Sequence, residues 1–225
     1  MPRHARLIYA DTPLHITCRG NNRQDIFNRE EDKLYYHSLL KNLKIDNRVD
    51  IFHYCIMTNH VHLILYLSRQ SNLPRFMKQL NLSYFVYYKK IYGYCGHLWQ
   101  GRFKSNLIDT DSYLLQCGKY IELNPVRAGI VTGPEAYRFS SYRYYAYGEF
   151  DPLITPNPAY LGLANDDEGL RKQYVAFVVD SSIINTQSLQ AQLFIGSDTF
   201  IRKLEEYYRI RNTSLQRGRP KKAEK

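Results

Sequence analysis

The chain has 225 residues, of which 44% are hydrophobic and 23% are charged; this composition is typical of a folded globular protein and excludes an intrinsically disordered one. No apolar run reaches about 18 residues, and the chain does not begin with an apolar signal region, so we expect a soluble, cytoplasmic protein with no membrane partner. The four cysteines lie far apart without a Cys-x-x-Cys pair, which argues against a zinc ribbon and fits free thiols.

The formal net charge of +10 is concentrated in two regions. No acidic residue lies between Asp50 and Asp109, whereas this stretch holds seven basic residues. The tail from 209 to 225 holds seven basic residues and one acidic residue. This concentration of positive charge indicates a polyanionic partner, and the lack of a lipid-binding signature favours nucleic acid over a membrane. A solvated basic face without a partner is the alternative.

Hydrophobic periodicity predicts four strands and two helices in the first half of the chain. In chain order they are a strand at 14–18, a helix at 28–46, strands at 49–57 and 58–67, a helix at 71–92 and a strand at 102–108. This order is that of a ferredoxin-like unit. We therefore predict an α+β fold with an antiparallel sheet and helices on one face.

Several polar and basic residues are candidate nucleic-acid contacts. The loop after the first strand contains arginines that could reach a phosphate or a base edge. One side of the helix at 71–92 is basic and could follow a phosphate backbone, whereas its apolar stripe is expected in the core. The candidates are Arg19, Asn21, Asn22, Arg23, Lys78, Lys89, Lys90, Arg102 and Lys104. Trp99 is predicted to be a packing anchor, with base stacking as the alternative.

Two histidines begin the strand at 58–67. Because side chains alternate along a strand, His60 and His62 share one face, while Val61 and Leu63 belong to the face turned towards the helices. We expect the histidine face to be uncovered. Two neighbouring imidazoles can bind a divalent ion. Two half-exposed histidines without a metal are the alternative.

A further helix is predicted from the capping cluster at 109–112 to about Asn124, where Pro125 makes continuation unfavourable. Tyr120 and Asn124 lie one turn apart on this helix and face the same way. Lys119 and Glu122 point away from Tyr120, so no general base is assigned.

Several motifs in the chain resemble those of the REP-associated tyrosine transposases. This family is a branch of the single-tyrosine, IS200-like transposases with a histidine-hydrophobic-histidine (HUH) motif. The motifs are Arg19-Gly20-Asn21-Asn22-Arg23, His60-Val61-His62, the stretch 96–104, the stretch from Tyr120 to Gly129, Phe139-Ser140-Ser141-Tyr142, and Arg217-Gly218-Arg219-Pro220. They occur in the right order and span nearly the whole chain.

The resemblance implies a metal-dependent endonuclease and strand-transferase for single-stranded DNA at REP-type hairpins, located at the nucleoid. Tyr120 would form a covalent 5′-phosphotyrosine, and His60, His62 and Asn124 would hold Mg²⁺ or Mn²⁺. An ordinary phenol has a pKa near 10, so Tyr120 would need help from a metal, a base or a cation. One alternative is a non-cleaving hairpin-binding regulator with the same fold. Another is a metallohydrolase that uses water.

The domain organisation is predicted from composition and turn residues. Residues 1–148 would form the catalytic domain, 149–158 a linker, 159–212 a small C-terminal helical region, and 213–225 a basic tail. In that tail, Arg217 and Arg219 belong to a sequence that resembles an AT-hook, whose arginines fit a narrow minor groove. A tail that only adds non-specific affinity is the alternative. A monomer is favoured over a dimer.

Overall fold

The computed structural model describes residues 11–109, 112–180 and 192–212. Within these ranges, one sheet is formed by β1 Leu14–Arg19, β2 Val49–Ile56, β3 His60–Leu67, β4 Lys104–Ile108 and β5 Phe194–Ile195. The α-helices in these ranges are α1 Glu30–Asp46, α2 Leu73–Tyr92, α3 Ser112–Glu122, α4 Asn124–Arg127, α5 Tyr142–Tyr147, α6 Pro158–Leu161, α7 Asp167–Val179 and α8 Asp198–Tyr208.

The sheet has the strand order β2-β3-β1-β4-β5. The first four strands pair antiparallel in the ferredoxin-like arrangement, which confirms the predicted fold class. β5 departs from the prediction of an antiparallel sheet, because it pairs parallel to β4. This two-residue strand is held by Asn212, whose Oδ1 accepts from the N–H groups of Leu193 and Phe194 at 2.9 and 2.7 Å. A strand of two residues is too short to be predicted from hydrophobic periodicity.

One face of the sheet is apolar and lies under α1 and α2. Ile16 of β1 pairs with Leu63 of β3, which in turn pairs with Tyr54 of β2, so the three side chains share this face. His37 of α1 lies over Tyr54, with ring centroids 5.8 Å apart. The apolar stripe of α2 is mostly buried, as predicted; Tyr87 is only half-buried and Ile91 is 44% exposed.

The opposite face, which was expected to be uncovered, carries α3. Thr17 and Cys55 pair with His62 from either side and belong to this face. Gly118 of α3 lies so close to His53 of β2 that a Cβ atom there would be 2.6 Å from the ring. The missing side chain lets the helix approach the sheet. The prediction placed helices on one face only; α1 and α2 follow it, and α3 departs from it.

The stretch 149–158, predicted to be a linker, packs against β2. Leu153 is fully buried, and Ile154 forms a bridge to Ile51. The N–H of Thr155 donates to the Ile51 carbonyl at 2.9 Å. The stretch is therefore part of the packed structure, because its backbone and apolar side chains find partners on β2. The domain boundaries themselves stay a prediction.

A second, smaller core joins α5, which precedes this stretch, to helices that follow it. Its centre is the pair Tyr145 of α5 and Tyr174 of α7, whose ring centroids lie 5.2 Å apart. The stretch 159–212, predicted to be helical, contains α7 and α8. No helix of residues 11–109, 112–180 and 192–212 has the length and apolarity needed to cross a membrane. The predicted tail contacts Arg217 and Arg219 lie outside the described residues.

Candidate active site

His60 and His62 lie at the start of β3 and share one face of the sheet, as predicted. Their ring centroids are 4.8 Å apart. A tight turn positions the strand start, because the N–H of Met57 donates to the carbonyl of His60 at 2.9 Å. His62 is buried and His60 is half-buried, so His60 is the more accessible of the two.

Each of these histidines has its Nδ1 atom held by a neighbour. The Nδ1 of His60 lies 2.6 Å from the Oδ1 of Asn59; because that oxygen only accepts, the nitrogen carries the proton. The Nδ1 of His62 lies 2.8 Å from the Nε2 of His15 on β1. When His62 donates to His15, both histidines of β3 present an unprotonated Nε2, which is the form that binds a metal.

Burial keeps this histidine cluster neutral at neutral pH. Burial, together with the charge of Arg19, lowers the pKa of His60 to about 4. Burial, together with the neighbouring His60, also lowers the pKa of His15 to about 4. The pKa of His62 falls well below its ordinary value, chiefly because of burial. Neutral imidazoles keep a lone pair available for a ligand.

Tyr120 on α3 meets the histidines at their ring edges. Its ring centroid lies 5.9 Å from that of His62 and 6.2 Å from that of His15. The side chain is buried. The guanidinium carbon of Arg127 lies 5.0 Å from the centre of the phenol ring, and Nη1 of Arg127 donates to the Tyr120 carbonyl at 3.0 Å. The structure thus brings the predicted nucleophile, the predicted histidine ligands and a cation together within one chain.

Lys119 and Glu122 on α3 point away from the phenol, as predicted. Glu122 is fully buried and accepts from Ser141 Oγ and from the hydroxyl of Tyr174, each at 2.6 Å. Nδ1 of His53 lies 3.0 Å from the same carboxylate. The amine of Lys119 donates to backbone carbonyls at the end of α7. These contacts anchor α3 to β2 and α7, and they occupy both charged groups.

Asn124, the predicted third ligand, begins α4 instead of ending α3. Its Nδ2 donates to the carbonyl oxygens of Tyr120 and Ile121 at 2.7 and 3.3 Å, so the amide caps the end of α3. The break between the helices lies just before Pro125, as proline geometry favours. In the part of the chain that the structure describes, no three His, Cys, Asp or Glu side chains form a group that could hold a metal.

Residues 9–124, which include β1 to β4 and all of α3, match the model of the family described as Transposase IS200 like. The chain belongs to the IS200-like transposase family. No curated protein matches this transposase.

One solved structure supports the fold of this IS200-like transposase. The structure of a REP-associated tyrosine transposase bound to a REP hairpin has a TM-score of 0.55 and 18% identity, and the match covers 69% of this chain and 92% of that chain. The tRNA(His) guanylyltransferase of Saccharomyces cerevisiae has a TM-score of 0.42 and 10% identity, with 82% and 86% of the two chains covered. The second similarity is too weak to carry an argument.

The predicted DNA contacts of the transposase lie on two sides of the sheet. Arg19 pairs with His60, and Lys104 pairs with Thr17, so both cations belong to the histidine face. The turn Asn21–Arg23 begins after Gly20, and its Asn22 and Arg23 have φ angles of 49° and 59°. The remaining candidates are exposed: Lys78, Lys89 and Lys90 on α2, which lies across the sheet from the histidines, and Arg102 in the loop before β4.

Two residues of the transposase site were not predicted from the sequence. His15 lies on β1, and its position beside His62 depends on the pairing register of β1 and β3, which the sequence does not specify. Arg127 lies in the same motif as Tyr120, seven residues later, and the α3–α4 junction turns it back over the phenol ring. The available signal was an arginine in the same motif as the predicted phenol nucleophile.

Proposed function

We propose that this IS200-like transposase cleaves and rejoins single-stranded DNA through a covalent 5′-phosphotyrosine on Tyr120. The observation that carries the proposal is the distance of 5.9 Å between the ring centroids of Tyr120 and His62 within one chain. In the proposed reaction, the attacking phenol and the two imidazole ligands must lie close to the same scissile phosphate. The short distance between the rings of Tyr120 and His62 supports this arrangement.

The residues at the site fit a divalent ion. His60 and His62 would bind Mg²⁺ or Mn²⁺ through Nε2, since Asn59 and His15 hold the Nδ1 atoms. The amide oxygen of Asn124 would be the third ligand while its nitrogen caps α3. All three donors are neutral, so a bound ion would keep its full charge to stabilise the phosphate oxygens in the transition state.

The chain's own residues supply the remaining steps. Tyr120 attacks the phosphorus atom, a new phosphotyrosine ester forms, and the strand on the other side leaves with a free 3′-OH. Arg127 lies over the phenol ring and places its positive charge beside the attacking group. Arg19 and Lys104 hold phosphates on the histidine face. Because one ester replaces another, a second 3′-OH can reverse the step without ATP.

Hairpin DNA of the REP type is the proposed substrate. The solved structure with the same fold is bound to a REP hairpin, and this chain carries the basic residues that such a ligand needs. We further propose that the protein acts as a monomer in the cytoplasm, at the nucleoid. Its tail residues Arg217 and Arg219 would add contacts to A·T-rich DNA. The proposed division is a catalytic domain at 1–148, a connecting stretch at 149–158, a C-terminal helical region at 159–212 and a basic tail at 213–225.

A covalent-adduct assay tests the proposed reaction. Protein is incubated with Mn²⁺ or Mg²⁺ and a labelled hairpin with single-stranded flanks, and the products are separated under denaturing conditions. The wild type is expected to form an adduct that Tyr120→Phe does not form. Tyr147→Phe is the matched control, since Tyr147 lies on α5 and is 51% exposed. No adduct from the wild type, or an undiminished one from Tyr120→Phe, would contradict the proposal.

A non-cleaving hairpin-binding regulator is the second candidate. It is favoured by one observation, namely that the described residues hold no group of three His, Cys, Asp or Glu ligands. It predicts tight, metal-independent binding and no cut in the same assay. A metallohydrolase would instead leave free 5′ ends, and its cleavage would survive Tyr120→Phe.

A further inference from the structure

Glu122, the last residue of α3, is a fully buried carboxylate. It follows Tyr120 by two positions, so the two side chains point about 200° apart around the helix. Its Oε1 accepts from Nδ1 of His53 at 3.0 Å and from Oγ of Ser141 at 2.6 Å, and its Oε2 accepts from the hydroxyl of Tyr174 at 2.6 Å. Burying a charge is costly, but a buried polar network whose bonds are all made holds its members in one geometry.

The partner on β2, His53, is itself held in one orientation. Its Nε2 lies 3.0 Å from Nδ2 of Asn157. The Oδ1 of Asn157 accepts from the N–H of Ala159 at 2.9 Å, so the amide nitrogen faces the imidazole and donates to it. His53 therefore carries its proton on Nδ1 and donates that proton to Glu122. The imidazole also stacks on the ring of Tyr145, with centroids 4.5 Å apart.

The helix α7 contacts α3 along one stripe. Leu115, Lys119 and Glu122 follow one another at helical spacing, so their side chains share a face of α3. Leu115 packs in the second core, which also contains Tyr174 of α7. The amine of the buried Lys119 donates to the carbonyl of Phe177 at 2.8 Å, near the end of α7, where the helix dipole favours a cation. These contacts span two turns of α3 and oppose its rotation about its own axis.

A small rotation of α3 would displace the phenol of Tyr120. The Cα atoms of a helix lie only about 2.3 Å from its axis, and a tyrosine hydroxyl lies much further out. The hydroxyl therefore moves through a longer arc than any backbone atom of the helix. A misplacement of about 1 Å in a reacting group can slow a reaction by about 100-fold.

We propose that α7, through the hydrogen bond from Tyr174 to Glu122, sets the rotation of α3 and with it the position of the Tyr120 hydroxyl at the scissile phosphate. Tyr174 and Glu122 are positioning residues, because they act through the helix and not on the phosphate. The inference rests on the proposed function, since it concerns the same nucleophile. It gives a part in the reaction to a helix outside residues 9–124, the part of the chain that matches the family model.

Single-turnover adduct formation at saturating hairpin and Mn²⁺ tests the inference. Tyr174→Phe removes only the hydroxyl that donates to Glu122. We expect its rate of adduct formation to fall about 10- to 100-fold, because the nucleophile is misplaced. Its affinity for Mn²⁺, and for the hairpin in EDTA, should stay within about 2-fold of the wild type, because neither depends on the phenol position.

Tyr160→Phe is the matched control for the loss of a buried hydroxyl. Tyr160 also belongs to the second core, but its hydroxyl donates to the carbonyl of Tyr145 at 3.2 Å instead of to Glu122. Each variant therefore loses one buried hydrogen bond, and urea unfolding compares their stabilities. The rate of adduct formation by Tyr160→Phe should stay within about 2-fold of the wild type, because α3 keeps its contacts.

A double variant shows whether Tyr174 acts through Glu122. Glu122→Gln keeps the size of the side chain but replaces one acceptor oxygen by a donor, so we expect slower adduct formation. Adding Tyr174→Phe to Glu122→Gln should slow the reaction further by less than about 2-fold, because residues of one network are not additive. Effects that multiply would contradict this route.

A second measurement follows the phenol itself and needs no DNA. Fluorotyrosine is incorporated at position 120, and its fluorine resonance is recorded in each variant. The rings of His62 and His15 lie edge-on to the phenol, with centroids 5.9 and 6.2 Å away, so the resonance changes when the phenol moves. We expect Tyr174→Phe to shift or broaden the resonance and Tyr160→Phe to leave it at the wild-type position.

Equal rates of adduct formation in Tyr174→Phe and the wild type would overturn the inference and leave the proposed reaction intact. So would an equal slowing in Tyr174→Phe and Tyr160→Phe, because it would assign the effect to the stability of the second core. An unmoved fluorine resonance in Tyr174→Phe would overturn the inference as well. Conversely, a wild type that forms no adduct, together with the expected change in the resonance, would defeat only the cleavage proposal.

Discussion

In the proposed metal site, the nitrogen that would bind the ion is set by the partners of the two Nδ1 atoms, which for His62 also include the hydroxyl of Thr17 at 3.3 Å. Asn59 accepts from His60, and His15 holds the Nδ1 of His62 at 2.8 Å. Such outer partners orient a ligand and raise its basicity. His15 is therefore a positioning residue of the proposed metal site, although it would not touch the ion.

His15→Phe keeps a flat ring on β1 but removes the nitrogen that lies 2.8 Å from Nδ1 of His62. We expect the affinity for Mn²⁺ to fall about 10- to 100-fold, as is usual when such a partner is lost. Calorimetric titration of the DNA-free protein measures the change. His37→Phe, on the other side of the sheet, is the control and should bind Mn²⁺ as the wild type does. Equal affinity in His15→Phe would contradict the positioning role of His15.

Single-residue chemistry was predictable where it depended on local spacing. Strand alternation placed His60 and His62 on one face, and helical geometry turned Glu122 away from Tyr120. The partnership of His15 with His62 was not predictable, because it joins residues that are 47 positions apart. It follows from strand register, which is decided by the packing of two complete faces.

At the scale of secondary-structure elements, the position of α3 on the sheet determines where the phenol of Tyr120 lies. The helix rests on the sheet through Gly118, and its last turn is fixed by the buried Glu122. Periodicity predicted the order of β1 to β4 with α1 and α2, because each buries one face. It gave no information on which face of the sheet α3 would occupy.

Gly118→Ala tests the packing of α3 on the sheet. In an exposed helix the change usually stabilises by about 1 kcal/mol. Here the new methyl would lie 2.6 Å from the ring of His53, so we expect a net loss of about 1–3 kcal/mol and slower adduct formation by Tyr120. Urea unfolding measures the first effect. Gly162→Ala is the control, since its nearest neighbouring atom is 3.6 Å away; equal stability of the two variants would contradict the prediction.

At the scale of the whole molecule, burying neutral histidines makes stability depend on pH. The pKa values of His15 and His60 are about 4 in the folded protein, against an ordinary value of 6.5. Between these two pH values the unfolded chain binds more protons than the folded protein. The contribution of the neutral histidines to the free energy of unfolding is therefore complete above pH 6.5 and is lost as the pH falls through 4.

Urea unfolding at two pH values measures this dependence. Lowering the pH from about 7 to about 5 is expected to reduce the free energy of unfolding by roughly 2 kcal/mol for each of these two histidines. In His15→Phe, the change in the free energy of unfolding between the two pH values should be smaller by the part that His15 contributes. A free energy of unfolding that does not change over this interval would contradict the assigned pKa shifts.

The side chain of Asn212 imitates one more strand at the outer margin of β5. Its amide accepts from two main-chain N–H groups and donates to the carbonyl of Phe194 at 2.9 Å, while Ile154 occupies the far margin at β2. Unpaired margins invite other chains to extend a β-ladder and aggregate. Both edge strands of the described sheet are therefore covered, which hinders pairing with a neighbouring molecule. A chain that ends before residue 192 would lack β5 and Asn212 and would leave one edge of the sheet uncovered.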